Sequence, residues 1–496
     1  MICVSIGRGR HKHMIAEHRH LVEEGAELVE LRLDYINGDV NLKRVIADRP
    51  CPVIITCRRE RDGGKWTGDE STRITLLKMA IAEGVEYVDL EEDVAGDIPR
   101  FGQTRRIVSM HDFRQTPDDL PGVIRRLAAK EADIVKVATM ANAPQDNLRM
   151  LRAVRDAGIP TVGMCMGDMG TPSRILAARF GSPFTYATFH HDRTMAPGQL
   201  SFPQMKEIYR YDKIDRQTEV FGVIADPIGH SHSPVIHNAS FAEAGMNRVY
   251  VPFRVPKEDL EAFLDDAMEL GVKGLSVTIP HKEAVISKLS KIDGAAKAIG
   301  AVNTIIYREG ELVGYNTDYR AAMDGIDTVL GASGRKAPLA KKVALLLGAG
   351  GVAKAICFGL KRRGADVVIA NRTFERAEDL AAQMQCRAIE WDRRHSVAPT
   401  LLVNCTPVGM HPNVNESPFE KHSLRPHTLV FDTVYNPEHT LLIKDALERN
   451  CRVITGVSMF IHQAALQFKH FTGVDAPMDA MRAALKEATA AVRVKA

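Results

Sequence analysis

The sequence predicts an α/β chain of several domains: an N-terminal (β/α)8 barrel, then an α/β substrate domain and a Rossmann-like dinucleotide-binding domain. Three observations predict it. The 496 residues exceed what one core usually supports, so roughly three domains of about 150 residues are expected. Short apolar runs alternate with helix-compatible segments over the first 210 residues. A glycine-rich turn, Gly348-Ala349-Gly350-Gly351, follows directly on a strong strand at Lys341–Leu347. Composition adds little: 45% apolar, 26% charged and a net charge of +3 describe an ordinary soluble chain. No basic run suggests nucleic acid, and no apolar stretch reaches the roughly 18 residues of a membrane span. The eight cysteines form no C-x-x-C pair, and the N-terminus carries Arg8 and Arg10 too early for a signal peptide. A reduced, cytoplasmic setting without bound metal is expected.

In chain order, eight β-like runs stand at Ile2–Ile6, Leu28–Leu33, Val53–Thr56, Tyr87–Leu90, Ile107–Met110, Ile134–Ala138, Thr161–Met164 and Phe184–Thr188. Ionisable residues gather at or near their carboxyl ends. Glu30 and Arg32 alternate with leucines on the second run, Arg58 follows the third, His111 the fifth, and Lys136 lies on the sixth. Barrel enzymes build their sites at that end. The charged segment Tyr209–Thr218 reads as a linker. A fresh strand opens at Val220–Ile224, and the polar stretch Gly331–Lys342 marks a further boundary. The expected domains are 1–212, 218–325 and 326–456. Helices at Met459–Phe471 and Met478–Val492, within 457–496, return to the middle domain.

Lys136 sits in Asp133-Ile134-Val135-Lys136-Val137-Ala138. A lysine inside a β-branched run is costly unless it is used. Low-dielectric neighbours favour the uncharged amine, which condenses with ketones to an imine. His111, one strand away, is placed to move the proton that an imine acidifies. Arg32, Arg58 and Arg174 at one mouth suit a small carboxylated substrate, although Arg32 could equally pair with Glu30 or Asp34.

Glu30-Leu31-Arg32-Leu33-Asp34, Thr56-Cys57-Arg58, Ser109-Met110-His111-Asp112-Phe113, the Lys136 run, Ser173-Arg174 and Ala196-Pro197-Gly198-Gln199 resemble type I 3-dehydroquinate dehydratase over about residues 1–210. The resemblance implies a Schiff base on Lys136 and acid/base work by His111. It implies that Glu30, Arg32, Arg58, Arg174 and Gln199 hold substrate. Asp62, before Gly63-Gly64, stands where a glutamate often orients the histidine. Met195 stands where a serine often precedes Ala-Pro-Gly-Gln.

In the second half the next strand, Asp366–Ala370, ends in Asn371-Arg372-Thr373. An acidic residue there would mark NAD; Arg372 can pair with a 2′-phosphate instead, so NADP(H) is expected. Upstream, Gly229-His230-Ser231-His232-Ser233-Pro234 offers hydroxyls to a carboxylate, and nothing completes a metal ligand set. Lys282, after Thr278-Ile279-Pro280-His281, and Asp318, in Gly314-Tyr315-Asn316-Thr317-Asp318, form a proton-relay pair suited to ketone reduction.

Together with Gly300-Ala301-Val302-Asn303-Thr304, Asn404-Cys405-Thr406-Pro407-Val408-Gly409-Met410, Asp432-Thr433-Val434-Tyr435-Asn436-Pro437 and Gln463-Ala464-Ala465, this order resembles shikimate dehydrogenase over roughly 218–490. The resemblance implies substrate contacts at Ser231, Ser233, Thr278, Asn303 and Gln463, and a catalytic pair of Lys282 and Asp318. Gly348, Gly350, Gly351, Ala353, Asn371, Arg372, Thr373 and Thr406 would hold the cofactor. Ser276 and Tyr319 stand where many bacterial members have Asn and Gly, as in plant enzymes carrying both activities on one chain. The partners implied are 3-dehydroquinate, 3-dehydroshikimate and shikimate, with neither nucleic acid nor membrane. Two alternatives stand beside this reading: a Schiff-base aldolase fused to another dehydrogenase, and a fusion with one inactive half. The arginine cluster with Ala-Pro-Gly-Gln argues against the first; intact Lys136, His111, Lys282 and Asp318 argue against the second.

Overall fold

The computed structural model describes residues 1–190, 196, 198–229, 231–331 and 339–490. Met195, Pro197, His230, part of the stretch 331–342 and the end of the last expected helix lie outside them. Two compact units divide the chain: Met1–Pro234 with Asn247–Val272, and Val235–Met246 with Lys273–Ala496.

In the first unit eight strands form one parallel sheet: β1 (Ile2–Ile6), β2 (Leu28–Arg32), β3 (Val53–Thr56), β4 (Tyr87–Glu91), β5 (Arg105–Asp112), β6 (Ile134–Met140), β7 (Thr161–Met166) and β8 (Thr185–Thr188). Their order, β7-β6-β5-β4-β3-β2-β1-β8, brings β8 back beside β1 and nearly closes a barrel. The strands match the expected runs. β5 is longer, so His111 lies within the strand and not after it.

Period-2 alternation sorts the side chains. Cys3, Leu28, Ile54, Ile107, Ile134, Val162 and Phe184 fill one apolar interior layer. Two residues further along the same strands the buried inward positions turn polar: Ser5, Glu30, Thr56, Asp89, Ser109 and Lys136. Register places Ser5 beside Glu30 and Ser109 beside Lys136. Side-chain caps start the outer helices: Asp69 accepts from Thr72 N at 3.0 Å, and Asp119 from Gly122 N at 2.8 Å.

The expected linker is a packed segment. Tyr209, Tyr211 and Ile214 are buried, and Asp215 accepts from Gln217 N and Asn247 Nδ2. The first unit continues into β9 (Glu219–Ala225) and β10 (Arg248–Arg254), which pair in parallel.

The second unit contains β11 (Val272–Val277), β12 (Lys291–Ile292), β13 (Thr304–Arg308) and β14 (Glu311–Tyr315). β13 pairs antiparallel with both β11 and β14. It also contains β15 (Val343–Leu347), β16 (Asp366–Asn371), β17 (Arg387–Glu390), β18 (Leu401–Asn404), β19 (Leu429–Asp432) and β20 (Arg452–Ile454), in the parallel order β17-β16-β15-β18-β19-β20. Both faces of this sheet are covered. Leu346, Val367 and Ile369 enter one apolar cluster, while Leu345, Leu347 and Val368 enter the other. The order reverses between β15 and β18, the crevice where such sheets bind dinucleotides. The helix Gly456–Thr472 packs Phe468 on Phe241, and a Cβ on Gly274 of β11 would meet Phe471 at 2.6 Å.

Candidate active sites

In the barrel, Lys136 Nζ donates to Asp89 at 2.9 Å and lies 3.6 Å from Glu30. It stands 4.1 Å from the centroid of the Tyr186 ring. Glu30 also accepts from Ser5 Oγ at 2.6 Å and Thr56 Oγ1 at 2.8 Å. Asp89 accepts from Arg58 at 2.8 Å and Ser109 Oγ at 2.6 Å. Burial alone would push both carboxyls up, but neighbouring cations hold them below their ordinary values: Lys136 and Arg32 for Glu30, Arg58 and Lys136 for Asp89. The apolar surroundings expected for Lys136 are thus corrected. Its flanking valines point away along the strand, and its own side chain faces two ionised carboxylates.

His111 lies one strand over. Arg58 Nη1 approaches its Nδ1 at 3.4 Å; a guanidinium only donates, so Nδ1 accepts and the ring proton sits on Nε2. Burial, with Arg58 and Lys136 nearby, drives its pKa well below 6.5 and keeps the imidazole neutral. Phe113 stacks on it at 6.2 Å, packed over the bare backbone of Gly63, which sits at φ 79°. Asp62 instead binds Arg59 Nε at 2.6 Å. Among the described residues it makes no bond to His111, so Arg58 and Phe113 orient the ring in its place.

The three arginines differ. Arg32 is bound in two-pronged fashion by Asp34, at 2.9 and 2.8 Å. Arg58 is spent on Asp89 and Glu91. Arg174, 1% exposed, touches Met164 Sδ at 3.4 Å and has no carboxylate partner among the described residues. Burial brings its pKa down to about 10, so an incoming anion would relieve it. Gln199 Oε1 accepts from Ala196 N at 3.0 Å. One cavity is lined by Lys136, His111, Glu30, Arg32, Arg58, Asp62, Arg174 and Gln199 together.

In the second unit, Lys282 Nζ lies 2.5 Å from Asp318. Asn303 Nδ2 donates to the other Asp318 oxygen at 3.0 Å, and its Oδ1 accepts from Thr317 N at 2.8 Å. Asp318 opens the helix Asp318–Leu330, where a carboxylate suits the helix dipole. Gln463 bonds Phe460 O on its own helix at 3.0 Å. Gln467, one turn on, reaches Asn303 O at 3.0 Å and accepts from Ser276 Oγ at 2.8 Å. Thr278 turns the chain by accepting from His281 N at 2.8 Å. Ser231 and Ser233 belong to the first unit, where Ser231 Oγ accepts from Ser233 N at 3.3 Å. Tyr319 fills the space beside Gly359, with its ring edge-on to Phe358 at 5.2 Å.

The glycine turn fits a dinucleotide. Gly348 takes φ 109°, and a Cβ there would meet Cys405 O at 3.0 Å. A Cβ on Gly350 would meet open space, and one on Gly351 would press Lys282 Cδ at 3.0 Å. The turn therefore bares backbone N–H groups at the start of the helix Gly351–Arg362, next to Lys282. Ala353 is buried and seats that helix on the sheet. Thr406 Oγ1 bonds Asn404 at 2.7 Å on the facing edge of the crevice. Asn371 Nδ2 bonds Thr373 O at 2.7 Å, shaping the turn that leaves Arg372 exposed, with no ion pair among the described residues. These residues fit a phosphorylated dinucleotide.

Asp89, Ser109, Tyr186 and Gln467 were not singled out from sequence. A signal existed for Asp89: Tyr87-Val88-Asp89-Leu90-Glu91 carries acids at alternate positions of a buried strand, as the Lys136 run carries its lysine. Among the described residues, no helix is long and apolar enough to cross a membrane, and no group of three or more His, Cys, Asp or Glu could hold a metal.

Comparisons with known proteins follow the same division. The type I 3-dehydroquinase family matches residues 2–216, and the shikimate dehydrogenase substrate binding domain 223–305. The shikimate / quinate 5-dehydrogenase family matches 332–402, and the shikimate 5′-dehydrogenase C-terminal domain 456–486. The bifunctional 3-dehydroquinate dehydratase/shikimate dehydrogenase, chloroplastic, of Arabidopsis thaliana is 38% identical over 97% of this chain and 83% of its own. A shikimate dehydrogenase (NADP(+)) of Methanopyrus kandleri is 41% identical over 55% of this chain and 97% of its own. A crystal structure of shikimate dehydrogenase in complex with NADP+ covers 56% of this chain and 98% of its own, at 37% identity and a TM-score of 0.52.

Proposed function

The chain belongs to the bifunctional 3-dehydroquinate dehydratase/shikimate dehydrogenase family, and we propose how its own residues divide the two reactions. The barrel dehydrates 3-dehydroquinate to 3-dehydroshikimate. The second activity reduces that product to shikimate with NADPH.

In the barrel, Lys136 Nζ passes a proton to neutral His111 and attacks the substrate ketone; His111 returns that proton to the carbinolamine hydroxyl, which leaves as water and gives a protonated imine. Its positive charge occupies the former place of the ammonium, between Asp89 and the Tyr186 ring, so the buried carboxylate keeps a partner. Neutral His111 takes a proton from the neighbouring carbon and then protonates the departing hydroxyl. Arg174 receives the substrate carboxylate. Gln199 reaches substrate hydroxyls, while Glu30, Arg32, Arg58 and Asp62 set the shape and charge of the wall. Water finally releases the product from Lys136.

In the second site the glycine turn would hold NADPH, which when bound would supply hydride for the ketone carbon. Lys282 gives the developing alkoxide its proton, and Asp318, fixed by Asn303, holds the lysine in position. Thr278 and Gln463 bind the substrate's ring hydroxyls. Gly348, Gly350, Gly351 and Ala353 form the pyrophosphate turn. Arg372, with Asn371 and Thr373, selects the 2′-phosphate, and Thr406 borders the cofactor crevice. The working domains are 1–212, 218–325 with 457–496, and 326–456. Eight free cysteines support a reduced, cytoplasmic setting.

The observation that carries this proposal is the single cavity shared by Lys136, His111 and carboxylate-free Arg174. The test is turnover by the purified chain. With 3-dehydroquinate and NADPH, one cofactor is consumed per shikimate formed; without NADPH, 3-dehydroshikimate accumulates. Failure of either half-reaction in folded protein overturns the corresponding assignment.

A further inference from the structure

We infer that Cys357 and Cys386 form an oxidant-responsive dithiol site on the dinucleotide-binding half of the chain. Their sulfurs lie 3.8 Å apart. Cys357 is buried on the helix Gly351–Arg362, the helix that opens at the glycine turn. Cys386 follows the helix Phe374–Met384. Gln385 ends that helix at φ 52°, and Cys386 N then bonds Ala381 O at 2.9 Å, which returns the chain toward Cys357. Closing from 3.8 Å to the roughly 2.05 Å of a disulfide needs under 2 Å of movement.

The two thiols are unequal. Cys386 is half-exposed and Cys357 is fully buried, so an oxidant in solution reaches Cys386 first. Lys361, one turn beyond Cys357 on the same helix, donates to Gln385 O at 2.7 Å beside Cys386. The contact with Cys357 and this lysine draw the Cys386 thiol below its ordinary range, while Cys357 is pushed up by the same contact and by burial. Neither residue has a part in either reaction above.

The oxidant class is a hydroperoxide. The Cys386 thiolate attacks one peroxide oxygen, the O–O bond breaks, and hydroxide leaves and is protonated to water. Cys386 is now a sulfenic acid, oxidised by two electrons. The Cys357 sulfur attacks that sulfur; the S–S bond forms, the S–O bond breaks, and the departing hydroxide takes the Cys357 proton as a second water. Two thiols and one hydrogen peroxide thus yield one disulfide and two waters.

The test treats the native full-length chain with hydrogen peroxide, blocks remaining thiols and maps peptides by mass. The expected result is a Cys357–Cys386 crosslink that dithiothreitol reverses, with both thiols lost together. In Cys357→Ser the reaction should stop at a Cys386 sulfenic acid that dimedone labels. In Cys386→Ser, Cys357 should stay reduced. Two results on wild-type protein overturn the inference: both thiols persisting at peroxide levels that oxidise free glutathione, or Cys386 over-oxidising while Cys357 remains free.

Discussion

Lys136 in the barrel and Lys282 in the reductase half both contact an aspartate, at 2.9 and 2.5 Å, yet the surroundings differ. Lys136 on β6 and Asp89 on β4 face each other across β5, among Glu30, Ser109 and an aromatic ring, with side chains 6% and 0% exposed. Lys282 and Asp318 come from a turn and a helix start, at 11% and 6% exposure, beside a glycine turn that a Cβ would close. On the proposed mechanism, the first arrangement holds the cationic imine between Asp89 and the Tyr186 ring, which already face Lys136 Nζ. The second passes a proton to a substrate beside the cofactor. On the proposed assignments, the same residue pair serves covalent catalysis where carboxylates surround the lysine, and proton transfer where one carboxylate backs it.

The sharpest way to break this contrast is to remove each lysine. Lys136→Ala should lower dehydratase kcat by more than about 10^4-fold, because no second amine replaces the covalent route. Shikimate oxidation by the same protein should be unchanged. Lys282→Met should do the reverse, costing the dehydrogenase roughly 10²–10⁴-fold, the usual worth of acid/base catalysis, and leaving dehydration intact. Steady-state assays of both activities on each variant check these expectations.

Asp89→Asn probes the carboxylate that sequence missed. It leaves Arg58 and Lys136 underpaired in a buried site, which typically costs about 3–5 kcal/mol, read as a lower urea midpoint for the dehydratase activity. Asp318→Asn sits nearer solvent and should cost less stability. Arg372→Gln should raise KM for NADPH about tenfold and leave NADH kinetics alone, consistent with the loss of one phosphate ion pair. Equal effects on both cofactors would remove Arg372 from the 2′-phosphate site.

Both halves bury a histidine whose protonation is suppressed. His237, buried in the second unit, has its pKa lowered to about 3 by burial, and His111 is likewise depressed in the first. The unfolded chain takes up these protons near pH 6.5 while the folded chain does not. Stability is therefore full above that pH and falls by up to roughly 1.4 kcal/mol per unit for each such histidine as pH drops toward the folded pKa. Dehydratase kcat/KM should accordingly show no loss of His111 base function with an apparent pKa near 6.5. A clear inflection there would mean that His111 is not held neutral.

Local pattern carried most of the architecture. Alternation within Leu28–Arg32 or Ile134–Met140, and glycines after Leu347, are properties of single segments, and the strands formed where those segments predict. The departures concern side-chain partners, some set by register between distant segments and some by rotamers within a few residues. Lys136 reads as an isolated amine among valines, but strand pairing brings Asp89, 47 residues earlier, within hydrogen-bond reach. Arg32 was open between substrate and Asp34, and closure on Asp34 is a choice of rotamer that sequence does not encode. Asp62 pairs with Arg59, three residues away, and Gln467, one turn beyond Gln463 on the same helix, reaches Asn303 O.

Trapping of the imine tests the centre of this account most directly. The wild-type chain is incubated with 3-dehydroquinate and sodium borohydride, then digested and mapped by mass. The expected result is substrate-dependent mass on the peptide bearing Lys136 alone, with dehydratase activity lost in proportion and dehydrogenase activity retained. Attachment at any other lysine, or dehydration that continues undiminished under borohydride, would contradict it.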